Sequence, residues 1–190
     1  AVATAFAVII GKEAFGGTGM NVVNIALTAR AFLYFAYPTD LSGDVWTYIG
    51  DTQTVAGYSG ATPLSLAAES ATTGVNLVES FNSFGAGWNE GVFTLSNLFM
   101  GLRPGSIGET STLMCLIGAV ILIATGSGSG KIIISVFGGA YVMGLLLNLI
   151  GGNAFVEMPA HYHLVIGGLA FGAVFMATDP VTASQTESGK

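Results

Sequence analysis

The chain has 190 residues, of which 52% are hydrophobic and only 8% charged, with a formal net charge of −6. A soluble domain devotes about 25% of its residues to charge. Charge this sparse cannot wet a globular surface, and the outside is expected to be lipid or protein. The acidic balance leaves no basic patch for nucleic acid, and the single cysteine, Cys115, excludes an intrachain disulfide or an iron–sulfur cluster held by this chain alone.

Residues 1–37 read as a helix end followed by an interrupted membrane helix. The chain begins without Met on the apolar run Ala1–Ile10 and stops at Ser188-Gly189-Lys190. It is therefore expected to be a piece of a longer membrane protein. No charged n-region or cleavage site marks the start as a signal peptide. Lys12, Glu13, Gly16, Gly17, Gly19 and Asn21 then break the apolar pattern, which resumes over Asn24–Ala36 with Arg30 inside it. Such a break fits a discontinuous or re-entrant helix, tolerated at membrane depth where protein or a cavity buries it. An ordinary turn between two helices is the alternative. Asn21 and Asn24, three apart, could supply an N-cap or hydrogen-bond a heterocyclic ring.

Residues 38–111 form a polar insert rich in Gly, Ser and Thr. Asp40, Asp44, Asp51, Glu69, Glu79, Glu90 and Glu109 stand there against one cation, Arg103. Within the insert, Gly57-Tyr58-Ser59-Gly60-Ala61-Thr62 resembles the acceptor at which flavin mononucleotide (FMN) is esterified, through its phosphate, to a Thr side chain. Thr62 is then the attachment point, framed by Ser59, Gly60 and Ala61, and not a catalytic base. Phe32, Tyr34, Phe35, Tyr37, Trp46 and Tyr48 cluster where the insert meets the first helices, as an interfacial belt or as stacking partners of a flavin. Pro104-Gly105-Ser106-Ile107-Gly108-Glu109 precedes the next helix and offers an anion site at its N-terminus, or Glu109 takes part in capping.

Residues 112–190 hold three consecutive uncharged stretches, 110–130, 132–156 and 158–178. A spanning helix needs about 20 apolar residues, so Thr112–Thr125, Ile132–Ile150 and His163–Thr178 are predicted to cross the membrane. Gly168 and Gly172 put two glycines on one face, a close-packing signature. Lys131 and Lys190 mark cytoplasmic ends by the positive-inside rule, which leaves the insert and Thr62 on the outer side. Gly126–Lys131 is not a phosphate-binding loop: Thr125 stands where its first Gly belongs and Ile132 where Ser or Thr should follow the Lys. His161 and His163, at i and i+2, do not share a helix face, and no metal site is expected. Asp179 follows an apolar span; it either serves function at membrane depth or simply reaches water.

Taken in order, several blocks resemble the B subunits of the sodium-translocating NADH:quinone oxidoreductase. They are Phe15–Asn21, Ala31–Pro38, Gly57–Thr62, Pro104–Glu109, His163–Gly168 and Phe171–Ser184. The D subunit of the related Rnf complex shares the acceptor, but the Arg30-Ala31-Phe32 context is closer to the sodium pump. The resemblance implies an all-α polytopic protein of the bacterial inner membrane, with the broken helices of an inverted-repeat, channel-like fold. It implies covalent FMN on Thr62, a non-covalent riboflavin with Asn21 and Asn24 as its candidate residues, and Asp179 on an ion path. The implied partners are the other subunits of the complex, quinone, Na⁺ and the lipid bilayer. The alternatives are an Rnf-type subunit, or a channel or transporter without flavin, which would have no use for Thr62. Three departures stand out: Met20 where many members carry a basic residue, Ile25 where many carry Pro, and Ala56 where an Asp often precedes the acceptor. Family members also run to about twice this length.

Overall fold

The computed structural model describes residues 1–38, 46–47, 59–60, 62–84, 91–103, 110–184 and 186–190. Its elements are helices α1 (Val2–Gly11), α2 (Ile25–Ala36), α3 (Pro63–Thr73), α4 (Leu77–Ser83), α5 (Leu95–Met100), α6 (Thr112–Ala124), α7 (Gly130–Ile150) and α8 (Leu169–Phe171). Three short helical turns join them: 3₁₀ turns at Glu13–Phe15 and Tyr162–Leu164, and a π-helix at Gly172–Met176. The extended elements among the described residues are two-residue strands, β1 (Trp46–Thr47) and β2 (Ser59–Gly60), antiparallel with Trp46 opposite Gly60 and Thr47 opposite Ser59.

α1 and α2 form an antiparallel hairpin. Ala3, Ala7 and Gly11, four apart, are its buried stripe, and the rings of Phe6 and Phe32 lie 4.7 Å apart across the seam. Small residues let the backbones close: a Cβ on Gly11 would meet Val23 Cγ2 at 3.3 Å. The connection falls where the apolar pattern breaks, and it joins two helices lying side by side, which is the turn given as the alternative to a discontinuous helix. Gly16, Gly17 and Gly19 all have positive φ, at 118°, 88° and 82°, a backbone that side-chain-bearing residues rarely adopt, and Val22 N–H returns to Gly11 O at 3.2 Å. α2 then restarts under an Asn24 cap.

The insert contains more than loops. Pro63, Ala67 and Ser70 place one buried face along α3, and Leu77 and Phe81 do so on α4. These meet Val92, Phe93 and Leu98, and the layer is closed by Met158, Tyr162, Val165 and Ile166 from far along the chain. Phe81 is the hub, 6.2 Å from Phe93 and 5.9 Å from Tyr162 between ring centroids. This core draws on both sides of Ser111.

The three predicted spans fare differently. α7 has 21 residues with mean hydropathy 2.0 and is, among the described residues, the one helix long and apolar enough to cross a membrane. Its rise of about 31 Å matches a hydrocarbon core of about 30 Å. α6 is apolar but has 13 residues, about 20 Å of helix. His163–Thr178 is not a continuous spanning helix. The chain turns at Tyr162–Leu164, breaks at Gly167 (φ +64°) and resumes only over Leu169–Met176. Gly167 is the reason: its left-handed backbone stops helix propagation, and a Cβ there would meet Leu64 Cδ1 at 3.0 Å. The resumed segment packs on α6 and α7 through Val174, Ala119 and Ile133. A Cβ on Gly118 would stand 2.6 Å from the Phe175 ring, so α6 needs a glycine there for that ring to lie against it.

Candidate functional site

The site residues expected from sequence fall at two ends of α6. Near its start lies Thr62. Thr62 is the N-cap of α3, half-buried and extended (φ −85°, ψ 159°), and Pro63 supplies the first helical position. Its Oγ1 accepts from Ser65 N–H at 3.1 Å; its own N–H donates to Ser65 Oγ at 2.8 Å, and Ser65 Oγ–H donates back to Thr62 O at 2.9 Å. That is a capping box with serine in place of the usual Glu or Gln. Ser59 and Gly60, the residues of β2, lead towards it in the short antiparallel ribbon. Ala61, Gly57 and Tyr58 lie outside the described residues, as do Tyr48 of the aromatic cluster and Pro104–Glu109. The cap of α6 is Ser111, whose Oγ accepts from Met114 N–H at 3.2 Å.

The same end is tied to the broken segment. Leu64 lies over Gly167. Arg103 donates through Nη2 to Val165 O and Gly167 O, each at 3.5 Å, and through Nε to Thr110 O at 3.3 Å. At the far side of the 151–161 turn, Asn148 Nδ2 donates to Val156 O and Met158 O, both at 2.7 Å, and holds that turn on the end of α7.

At the other end of α6, Asn21, Asn24 and Asp179 come together. They line a cavity of about 470 Å³ with Ile25, Leu122, Ser127, Phe175 and Thr178, a size within the range of about 300–1,000 Å³ usual for ligand pockets. Asn24 is fully engaged. Its Oδ1 accepts from Leu27 N–H at 3.0 Å and so caps α2, while Nδ2 donates to Asp179 Oδ2 at 3.3 Å and to Met176 O at 3.5 Å. Asp179 also accepts from Thr182 Oγ1–H at 2.6 Å and from Val181 N–H at 3.4 Å. Asn21 differs: its Oδ1 is buried and has no hydrogen-bond partner among the described residues. A buried amide oxygen left unpaired costs about 1–3 kcal/mol, so this atom is suited to an incoming N–H donor.

Two features add to what the sequence predicts: the Ser65 half of the capping box, and the Asn24–Asp179 contact across 155 positions. Ser at the third helical position after Thr carries a local signal; the long-range pair carries none without coordinates. The Gly126–Lys131 turn also gains a role, since Ser127 lines the cavity. Lys131 Nζ pairs with Glu187 at 2.6 Å, and Lys190 Nζ with the same carboxylate at 3.1 Å. These two ammonium groups hold the Glu187 carboxyl below its ordinary value, the hydrogen bond from Lys131 first among the causes. Among the described residues no group of three or more His, Cys, Asp or Glu gathers that could hold a metal.

A family model described as NQR2, RnfD, RnfE matches residues 1–190. The chain belongs to that family. Curated relatives agree, each named as the B subunit of a Na(+)-translocating NADH-quinone reductase. That of Azotobacter vinelandii is 49% identical over 193 residues, covering all of this chain and 43% of the relative. Those of Chromohalobacter salexigens and Ectopseudomonas mendocina are each 48% identical, again over all of this chain and 42% and 43% of their own lengths. The chain thus spans less than half the length of these NQR2-type relatives. Family membership and the apolar α7 together make this a membrane-protein chain.

Proposed function

We propose that this chain carries FMN esterified to Thr62 and serves in the membrane sector of a sodium-translocating NADH–quinone reductase. There it relays electrons towards a riboflavin and quinone while Na⁺ moves outward. The placement of Thr62 at the N-cap of α3 carries the reading. A phosphodiester keeps one negative charge, which the positive dipole at a helix start favours. The first turn, Pro63-Leu64-Ser65-Leu66, brings no carboxylate to oppose that charge. Tethering makes cofactor binding intramolecular, so the ring need only be positioned. The flavin supplies the electron chemistry when bound; the protein supplies orientation and electrostatics.

At the other end, the buried Oδ1 of Asn21 suits the N–H edge of a flavin ring in the cavity. Asn24, with its amide committed to Leu27, Met176 and Asp179, holds the backbone around that ring and leaves direct contact to Asn21. Asp179, solvated by neutral donors at the cavity wall, is the ion-path residue. The lysines gathered on Glu187 at this end support a cytoplasmic side here and an outer side for Thr62, in a multi-pass protein of the bacterial inner membrane completed by further helices and subunits.

In-gel flavin fluorescence of the denatured full-length subunit, expressed with its flavin transferase, tests the assignment. The wild-type band is expected to fluoresce and the Thr62→Ala band to be dark. A dark wild-type band, or a fluorescent Thr62→Ala band, overturns it. Labelling of single cysteines placed in the insert is expected from outside intact cells; labelling only from the cytoplasmic side overturns the topology.

A further inference from the structure

The capping box at Thr62 uses serine where the common pattern uses Glu or Gln. A carboxylate at that position would be the better partner of the helix dipole, and α4 follows that rule with Glu79 in its first turn. α3 does not: its nearest acid along the helix is Glu69, beyond the first turn, although the surrounding insert is acidic. Ser65 nonetheless performs both halves of the box, accepting from Thr62 N–H at 2.8 Å and donating to Thr62 O at 2.9 Å, while its own N–H holds Thr62 Oγ1 at 3.1 Å.

We propose that Ser65 is the positioning residue for modification of Thr62: it fixes the acceptor hydroxyl in cap geometry with a neutral side chain, keeping charge away from the incoming phosphoryl group. This rests on the reading of Thr62 as the acceptor. In the transfer itself the Thr62 Oγ1–phosphorus bond forms as the phosphorus–oxygen bond of a phosphoanhydride flavin donor breaks, and the donor's other phosphate half leaves with the bonding pair on its oxygen. The hydroxyl proton passes to a base of the transferase, and no electron changes hands. Oγ1 enters this step with its side-chain rotamer already fixed by the bond from Ser65 N–H. A carboxylate at position 65 would set a second negative charge beside the phosphate.

Glu and Gln separate charge from capping, because both complete the box and only one is charged. The test is flavin fluorescence per polypeptide in the full-length subunit within its complex, for wild type, Thr62→Ala, Ser65→Gln, Ser65→Glu and Ser65→Ala. Thermal stability of each variant is followed in parallel. Ser65→Gln is expected to be flavinylated like wild type. Ser65→Glu is expected to fold as well as Ser65→Gln yet incorporate flavin roughly tenfold less, the size of effect that adjacent like charges produce between water and a protein surface. Ser65→Ala, which loses both hydroxyl bonds, is expected to fall between them. Equal labelling of the Glu and Gln variants, or loss in both, overturns the charge argument; an Ala variant labelled like wild type overturns positioning. If wild type and Thr62→Ala are equally dark, the acceptor reading itself fails, an outcome distinct from any that concerns Ser65.

Discussion

The two ends of α6 are built on different physics. Around Thr62 the chain folds as a water-soluble domain would, with Phe81, Phe93, Leu98, Met158 and Tyr162 packed into a closed apolar layer. Around Asp179 the apolar packing is thin and the elements are joined by polar contacts: one amide, one carboxylate and a few backbone groups. The Thr62 end is thereby a fixed platform, suited to presenting the covalently held group proposed for it. The cavity end is joined by bonds that exchange readily with a ligand's, and local openings concentrate where buried apolar contacts are few.

Substitutions can break or sharpen this contrast. The largest effect is expected from Phe81→Ala: removal of a fully buried ring costs about 3–5 kcal/mol. In a detergent-solubilised subunit it should appear as early proteolysis of the insert while α7 stays protected. Loss of α7 protection at the same protease level would mean that the two ends unfold as one unit. Gly167→Ala comes next. Its φ of +64° and the nearby Leu64 make about 1–2 kcal/mol the expected penalty, read as a lowered melting temperature and faster cleavage between residues 155 and 169.

At the cavity end, Asn24→Ala removes a cap worth about 1 kcal/mol together with the donor to Asp179. Asn24→Asp keeps the cap but sets a carboxylate against Asp179. It is therefore expected to be no more stable than Asn24→Ala, although Asp equals Asn as a cap. Hydrogen exchange of the first turn of α2 checks both, and an Asn24→Asp protein as protected as wild type would remove the contact from the account. The smallest effect belongs to Glu187. Its folded carboxyl is held below the ordinary glutamate value by Lys131 and Lys190, so its contribution is present above that ordinary value and is lost as pH falls through the depressed one. Because all three groups are at the surface, the change should be slight and should vanish in high salt. Melting curves of wild type and Glu187→Gln against pH provide the check.

Much of this is legible in the chain. The break at Gly16–Gly19 and the restart at Asn24 follow from local chemistry, glycine's access to positive φ and asparagine's fitness as a cap, and both stand in the fold. α7 is legible because a 21-residue stretch of mean hydropathy 2.0 allows little else. The failure at His163–Thr178 has a physical cause: hydropathy reports that a segment avoids water, and a segment buried against α6, α7 and Leu64 avoids water as thoroughly as one in lipid. Gly168 and Gly172 are read as a close-packing pair, but a Cβ on Gly172 would meet nothing within 4 Å, and it is Gly167 beside them that marks a change of direction. The insert's core is hidden from composition because four of its ten buried residues, Met158, Tyr162, Val165 and Ile166, lie beyond α7 in sequence, and nothing local reveals such a pairing.

Asn24 stands at the start of α2 and grips the carboxylate that follows the broken 162–176 segment. One amide therefore belongs to two equilibria. Any ligand that draws Asp179 away from Asn24 alters the anchoring of the cap on α2, and linkage makes the exchange reciprocal. A change that stiffens the first turn of α2 through that amide must shift the ligand's affinity by the same factor. The turn between α1 and α2 thus leaves a helix start, capped by Asn24, whose stability is tied to whatever engages Asp179.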